Sequence, residues 1–157
     1  MTMAEATVRK SVTVEVPIEK AFKVFTEEFD IWWPRSHKIG DADLQQAVLE
    51  GRKGGRWYEI DVDGAECEWG RVLEWDPPSR LVLAWQLDAQ WRFDPDLLTE
   101  VEVSFLAEGP HRTRVDLEHR NLDRFGDARA QIRSAFDSPG GWAGLLAAYA
   151  EAAGSQA

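Results

Sequence analysis

The sequence predicts an α+β fold: a curved antiparallel sheet wrapped around a long C-terminal helix, with a pocket between them. Three observations carry the prediction. Residues 70–85 read as strand, sharp turn, strand. Val101, Val103 and Phe105, then Val115, Leu117 and His119, alternate with polar residues along two later strands. The chain then ends in a helical stretch whose sole charge is Glu151. A strongly twisted sheet that curls around such a helix meets its apolar surface from both sides.

The elements follow in order. Val8, Val12, Val14 and Val16 alternate with polar residues, which predicts a half-buried strand. Pro17 stops it and suits the first turn of a helix. Ile18, Ala21, Phe22, Phe25 and Phe29 then recur at helical spacing, so a short amphipathic helix runs to about Phe29. Trp32-Trp33-Pro34 marks the change from helix to loop. Asp41 to Leu44 leads into a strand over about residues 45–50, and Gly51, Gly54 and Gly55 make a turn. A hairpin over residues 57–75 turns at Asp63-Gly64. Its return strand carries two competing inward patterns, Cys67/Trp69/Leu73 and Gly70/Val72, which a bulge reconciles. Asp76-Pro77-Pro78-Ser79 is the next turn, followed by a strand over residues 81–87 and an irregular segment over 88–96. Asp127 is expected to cap a short helix ending near Phe136. Ser138 is expected to cap the last helix, with Pro139 at its first position. Trp142, Leu145, Leu146 and Tyr149 form the stripe of that helix, and its small, uncharged remainder predicts burial on most sides. Hairpin connections make a meander the simplest topology.

A chain of 157 residues suits a single domain, residues 1–157, with a real core. It has no apolar run of membrane-spanning length. Its first residues lack the basic start and apolar centre of a secretion signal, and a lone Cys67 cannot form an internal disulfide; both point to the cytoplasm. With 18 basic and 28 acidic residues the formal charge is −10, which disfavours nucleic acid and anionic membrane surfaces as partners. A homodimer stays open. One Cys and three scattered His residues supply no metal-ligand spacing, and no nucleotide loop or nucleophile elbow is present, so no metal and no cofactor are expected.

Several segments together resemble the START-like (SRPBCC) superfamily with its helix-grip fold, and within it the branch of the activator of Hsp90 ATPase homologues. They are residues 16–22, 54–59, 69–72, 75–85 and 140–146 (VPIEKAF, GGRWYE, WGRV, WDPPSRLVLAW and GGWAGLL), spanning a core of about residues 8–153. The resemblance implies a cavity between sheet and final helix. Relatives use such a cavity for lipids, hormones, polyketides or aromatic compounds, and some are enzymes.

Eight tryptophans are the unusual feature of the composition. Trp needs a deep core or a pocket wall. Trp32, Trp33, Trp57, Trp69, Trp85, Trp91, Phe105, Phe136, Trp142 and Leu146 are therefore the expected ligand-binding residues. A solid core is the competing expectation for the same rings. His37, Glu59, Glu68 and His119 are the candidate polar or catalytic groups. A histidine can act as a general base near neutrality. Glu59, Glu66 and Glu68 flank one hairpin, where cross-strand pairing of two carboxylates would raise one pKa and create a proton donor. A solvated hairpin edge is the plainer reading. Arg56 and Arg71 could meet an acidic ligand or one of these glutamates, with an ordinary surface ion pair as the plainer reading; His111 falls in a turn. The expected function is non-catalytic binding of a small hydrophobic or aromatic molecule. A hydrolase- or cyclase-type enzyme in the same cavity is one alternative. An Hsp90-type chaperone interaction module of the stress response is the other.

Overall fold

The structure, a computed structural model, describes residues 7–34, 37, 42–138 and 140–155. The expected lead-in at Asp41 and helix start at Pro139 lie outside the described residues. β1 (Val8–Val14) is followed by α1 (Ile18–Thr26) and α2 (Phe29–Trp32). Six strands come next: β2 (Leu44–Leu49), β3 (Arg56–Asp61), β4 (Glu66–Asp76), β5 (Arg80–Trp85), β6 (Thr99–Gly109) and β7 (Arg112–Arg120). A 3-10 segment (Leu122–Ala128), α3 (Arg129–Asp137) and α4 (Trp142–Ser155) complete the chain. The seven strands form one antiparallel sheet in the order β1-β7-β6-β5-β4-β3-β2. It is a meander from β2 to β7, with β1 added beside β7. The sheet curls into a half-barrel around the helices, giving the α+β helix-grip fold.

The apolar alternation places Val101, Val103, Phe105, Val115 and Leu117 in the core, while Arg80, Glu102, Arg120 and Glu100 pair across the outer face. α1 buries Ala21, Phe22, Val24 and Phe25, and Phe22 and Phe25 pack edge-on to Phe105 of the sheet. α4 lies against β1 and the other helices. The Tyr149 hydroxyl donates to the Ala21 carbonyl at 2.7 Å and ties α4 to α1.

The two inward patterns of β4 are resolved by two register shifts. Trp57 faces Gly70 and Tyr58 faces Glu68, which leaves Trp69 as an extra residue; Leu73 is extra in the same sense opposite β5. The bulge lets Trp69 and Val72 both point inward. Gly70 is required by a close approach. The Trp57 indole crosses over it to donate to the Ala84 carbonyl at 2.7 Å, and a Cβ at position 70 would lie 1.8 Å from that oxygen.

Three local expectations are corrected. Asp127 caps nothing: it lies inside the 3-10 segment, and α3 starts after Ala128 without a side-chain cap. Ser138 does not cap α4. Its hydroxyl donates to the Ala135 carbonyl at 2.7 Å, at the end of α3, and α4 begins at Trp142. α4 is also less buried than its composition suggested, because Ala143, Ala147, Glu151 and Gly154 form an exposed stripe. Alanine tolerates either side of a helix, so the missing charges did not mean complete burial.

Candidate functional site

A cavity of about 380 Å³ opens where the end of the sheet meets the start of α4. Trp69 and Trp85 of the sheet form its inner wall, with Leu87 just beyond β5. Trp33 and His37, after α2, close one side. Ala135, Phe136 and Ser138 of α3 and its end, with Gly140 and Gly141, close the other. Trp91 stands at the rim, 42% exposed.

Several wall residues are held from behind. The Trp69 indole donates to the buried carboxylate of Glu59 at 3.0 Å. The Trp33 indole donates to the His37 carbonyl at 3.0 Å. The His37 Nε2 lies 2.9 Å from the Gly140 carbonyl. A carbonyl only accepts, so that nitrogen carries the proton and His37 is fastened to Gly140. Asp88 shapes the rim: its carboxylate accepts the backbone N–H groups of Gln90 and Arg92, and Trp91 between them has φ +62°. That left-handed backbone is uncommon for a bulky side chain and marks a constrained turn that presents the ring. Gly141 is needed for packing, since a Cβ there would lie 2.3 Å from the Phe136 carbonyl oxygen.

Of the expected ligand-binding residues, Trp33, Trp69, Trp85, Trp91 and Phe136 lie on the wall. The others are core residues. Trp32 donates to the Val24 carbonyl, Trp57 to the Ala84 carbonyl and Trp142 to His119, while Phe105 packs on α1 and Leu146 is buried in α4. Thus part of the aromatic set lines the cavity and the rest is packed into the core.

His119 is fully buried beneath the wall, stacked on Phe136 at 4.4 Å. Its Nδ1 accepts from the Trp142 indole at 3.0 Å. Its Nε2 lies 2.8 Å from the Thr99 hydroxyl, which donates onward to the Trp85 carbonyl at 3.1 Å. The chain of bonds requires the neutral Nε2–H tautomer. Burial pushes its pKa from 6.5 down to about 3, so it stays neutral at physiological pH. With both nitrogens engaged, His119 is a structural tie between α4 and three strands rather than a base.

The expected carboxylate pair is not assembled. Glu59 pairs in register with Cys67, whereas Glu68 pairs with Tyr58 and meets Arg71 at 3.3 Å. Glu66 meets Arg56 at 3.2 Å, so both arginines meet these glutamates. The β4 bulge sets these carboxylates apart. Of the four candidate polar residues, His37 alone lies on the wall. Leu87, Ala135, Ser138, Gly140 and Gly141 were not anticipated as wall residues. The Gly140-Gly141 step ahead of an aromatic helix was the available signal.

A second depression, of about 350 Å³, lies on the outer face of the sheet. Its charged groups pair with one another, as in Arg9–Glu118 and Arg114–Asp116. Among the described residues, no group of three or more His, Cys, Asp or Glu side chains is placed to hold a metal ion, and no helix is long and apolar enough to cross a membrane.

A curled sheet, a C-terminal helix and an aromatic-walled cavity between them define a helix-grip protein of the START-like class. More narrowly, the chain belongs to the family described as "Activator of Hsp90 ATPase homolog 1-like protein", which matches residues 15–149. Two similar solved structures carry functional descriptions. One is described as an anthrahydroquino-gama-pyrone synthase, Txn09, complexed with SUM: 43% identity, 93% of this chain and 96% of that one, TM-score 0.66. Another is CalC, a self-sacrificing resistance protein from Micromonospora echinospora: 37% identity, 97% and 96% coverage, TM-score 0.73. Protein NE0264 from Nitrosomonas europaea shares the fold at 16% identity, with 100% and 99% coverage and a TM-score of 0.71. No curated protein matches the chain.

Proposed function

We propose that this protein binds a flat, polycyclic aromatic small molecule in the cavity between sheet and α4. The observation that carries the reading is the wall itself: Trp33, Trp69, Trp85, Trp91 and Phe136 surround about 380 Å³, with His37 and Ser138 as the polar side chains among the described lining residues. Such a volume suits roughly one ligand of two to four fused rings. Binding is driven by burial of its faces against the indoles, at about 25 cal/mol per Å² before ordering costs. The likeness to Txn09, whose description names an anthrahydroquino-pyrone synthase, supports a fused-ring ligand.

Native mass spectrometry of freshly purified protein, with extraction of anything bound, tests this reading. A recurrent aromatic adduct supports it. Empty protein that also ignores a panel of soluble fused-ring compounds refutes it.

A second reading is favoured by the likeness to a synthase. The cavity would hold an aromatic substrate for a ring-forming step, with His37 moving a proton at its edge. Turnover of a bound compound that is lost in His37→Gln, while binding is retained, distinguishes it from binding alone.

A further inference from the structure

We propose that the Trp85 indole N–H is the ligand's selectivity contact, donating to a carbonyl oxygen of a polycyclic ketone or quinone held in the cavity. This inference rests on the aromatic-binding reading above and narrows it to ligands that bear an acceptor oxygen on the fused rings.

The protein satisfies its other buried indoles. Trp32 donates to the Val24 carbonyl, Trp33 to the His37 carbonyl and Trp57 to the Ala84 carbonyl. Trp69 donates to Glu59, and Trp142 to His119. Trp85 breaks the pattern. It is only 6% exposed, its ring is part of the wall, and its Nε1 is buried with no hydrogen-bond partner among the described residues. Leaving a buried donor unpaired costs free energy, and native proteins rarely do so without a reason.

The surroundings explain why no described side chain supplies the acceptor. Trp85 is ringed by Trp57, Trp91, Phe136 and Trp142, at centroid distances of 5.3 to 6.3 Å. His119 is also adjacent at 5.3 Å, but its Nδ1 and Nε2 are engaged by Trp142 and Thr99. The same ring lines the cavity, so a ligand seated there is the available source of an acceptor. Because the nitrogen itself is covered, the bond requires the indole to turn as the ligand seats. A neutral carbonyl suits the site better than an anion, because the described lining residues include no Arg or Lys. A carbonyl fixed to a fused ring also lies in the ring plane, so one flat molecule can stack on the wall and reach the indole edge.

A matched pair of soluble probes tests the proposal: anthraquinone-2-sulfonate and anthracene-2-sulfonate. They share shape and charge and differ in the ring carbonyls. Affinities for the wild type and Trp85→Phe are measured by calorimetry and combined as a double difference, which cancels the unequal hydration of the probes. The quinone is expected to lose about three- to tenfold more affinity than the anthracene on substitution. In the wild type, the Trp85 indole proton is expected to resonate downfield in the quinone complex relative to the anthracene complex. This second readout stands by itself if the variant does not fold. Equal losses, with no downfield difference, overturn the hydrogen bond and leave the cavity reading intact. Failure of both probes to bind in the millimolar range overturns the cavity reading and this inference with it.

Discussion

His119 should make the fold acid-sensitive in a defined window. Its folded-state pKa is pushed below the ordinary value of 6.5 to about 3, and burial is the cause. Above 6.5 the residue is neutral in both folded and unfolded chains and has no pH effect. Below 6.5 the unfolded chain takes up a proton that the folded protein refuses, so stability falls as pH falls, down to about pH 3. The slope approaches roughly 1.4 kcal/mol per pH unit, and the loss between pH 7.5 and pH 5 is about 2 kcal/mol. Urea unfolding of wild type and His119→Gln at both pH values measures it. The variant is less stable at pH 7.5, because it loses the stack on Phe136 and part of the Trp142–His119–Thr99 chain. Its further loss on acidification should be about 2 kcal/mol smaller than the wild type's. Carboxylates held below their usual range, such as Glu102 and Asp116, weaken the fold at lower pH in both proteins and cancel in the comparison. Equal pH dependence in the two proteins would refute the reasoning. So would a nitrogen spectrum showing His119 charged at pH 5 in the native state.

Other substitutions probe separate parts of the account. Gly70→Ala places a Cβ against the Ala84 carbonyl oxygen and should cost more than about 3 kcal/mol in chemical unfolding. Gly109→Ala meets nothing within 4 Å and should stay within about 0.5 kcal/mol of wild type. Tyr149→Phe removes the buried bond to the Ala21 carbonyl and should lower stability by about 1 kcal/mol, read by the same method. Trp91→Ala, at the exposed rim, should change thermal stability little yet weaken anthracene-2-sulfonate binding by about threefold or more. Unchanged binding would remove Trp91 from the site.

The strands and their faces were legible in the sequence because alternation is a local property: Val101 to Phe105 and Val115 to His119 state their inward side within a few residues. The conflict within β4 was legible as well, since two inward sets one residue out of phase require an extra residue. The division of the tryptophans was not legible. Trp57 and Trp69 are both almost fully buried, yet one spans to a carbonyl two strands away while the other faces the cavity. That difference depends on which strands become neighbours. His37 and His119 are chemically identical in the sequence, and their roles separate only because Trp142 and Thr99 converge on one of them. The ends of α3 and α4 were misplaced for a related reason. The Gly141 approach to the Phe136 carbonyl, rather than a side-chain cap, fixes how the two helices meet.

The tryptophan indole resonances of labelled protein, followed while anthracene-2-sulfonate is added, report most directly on whether an aromatic molecule enters this cavity. Saturable movement of the Trp33, Trp69, Trp85 and Trp91 signals, with Trp32 far less affected, is the pattern expected. Signals that stay still throughout the titration, or that move most at Trp32, would contradict it.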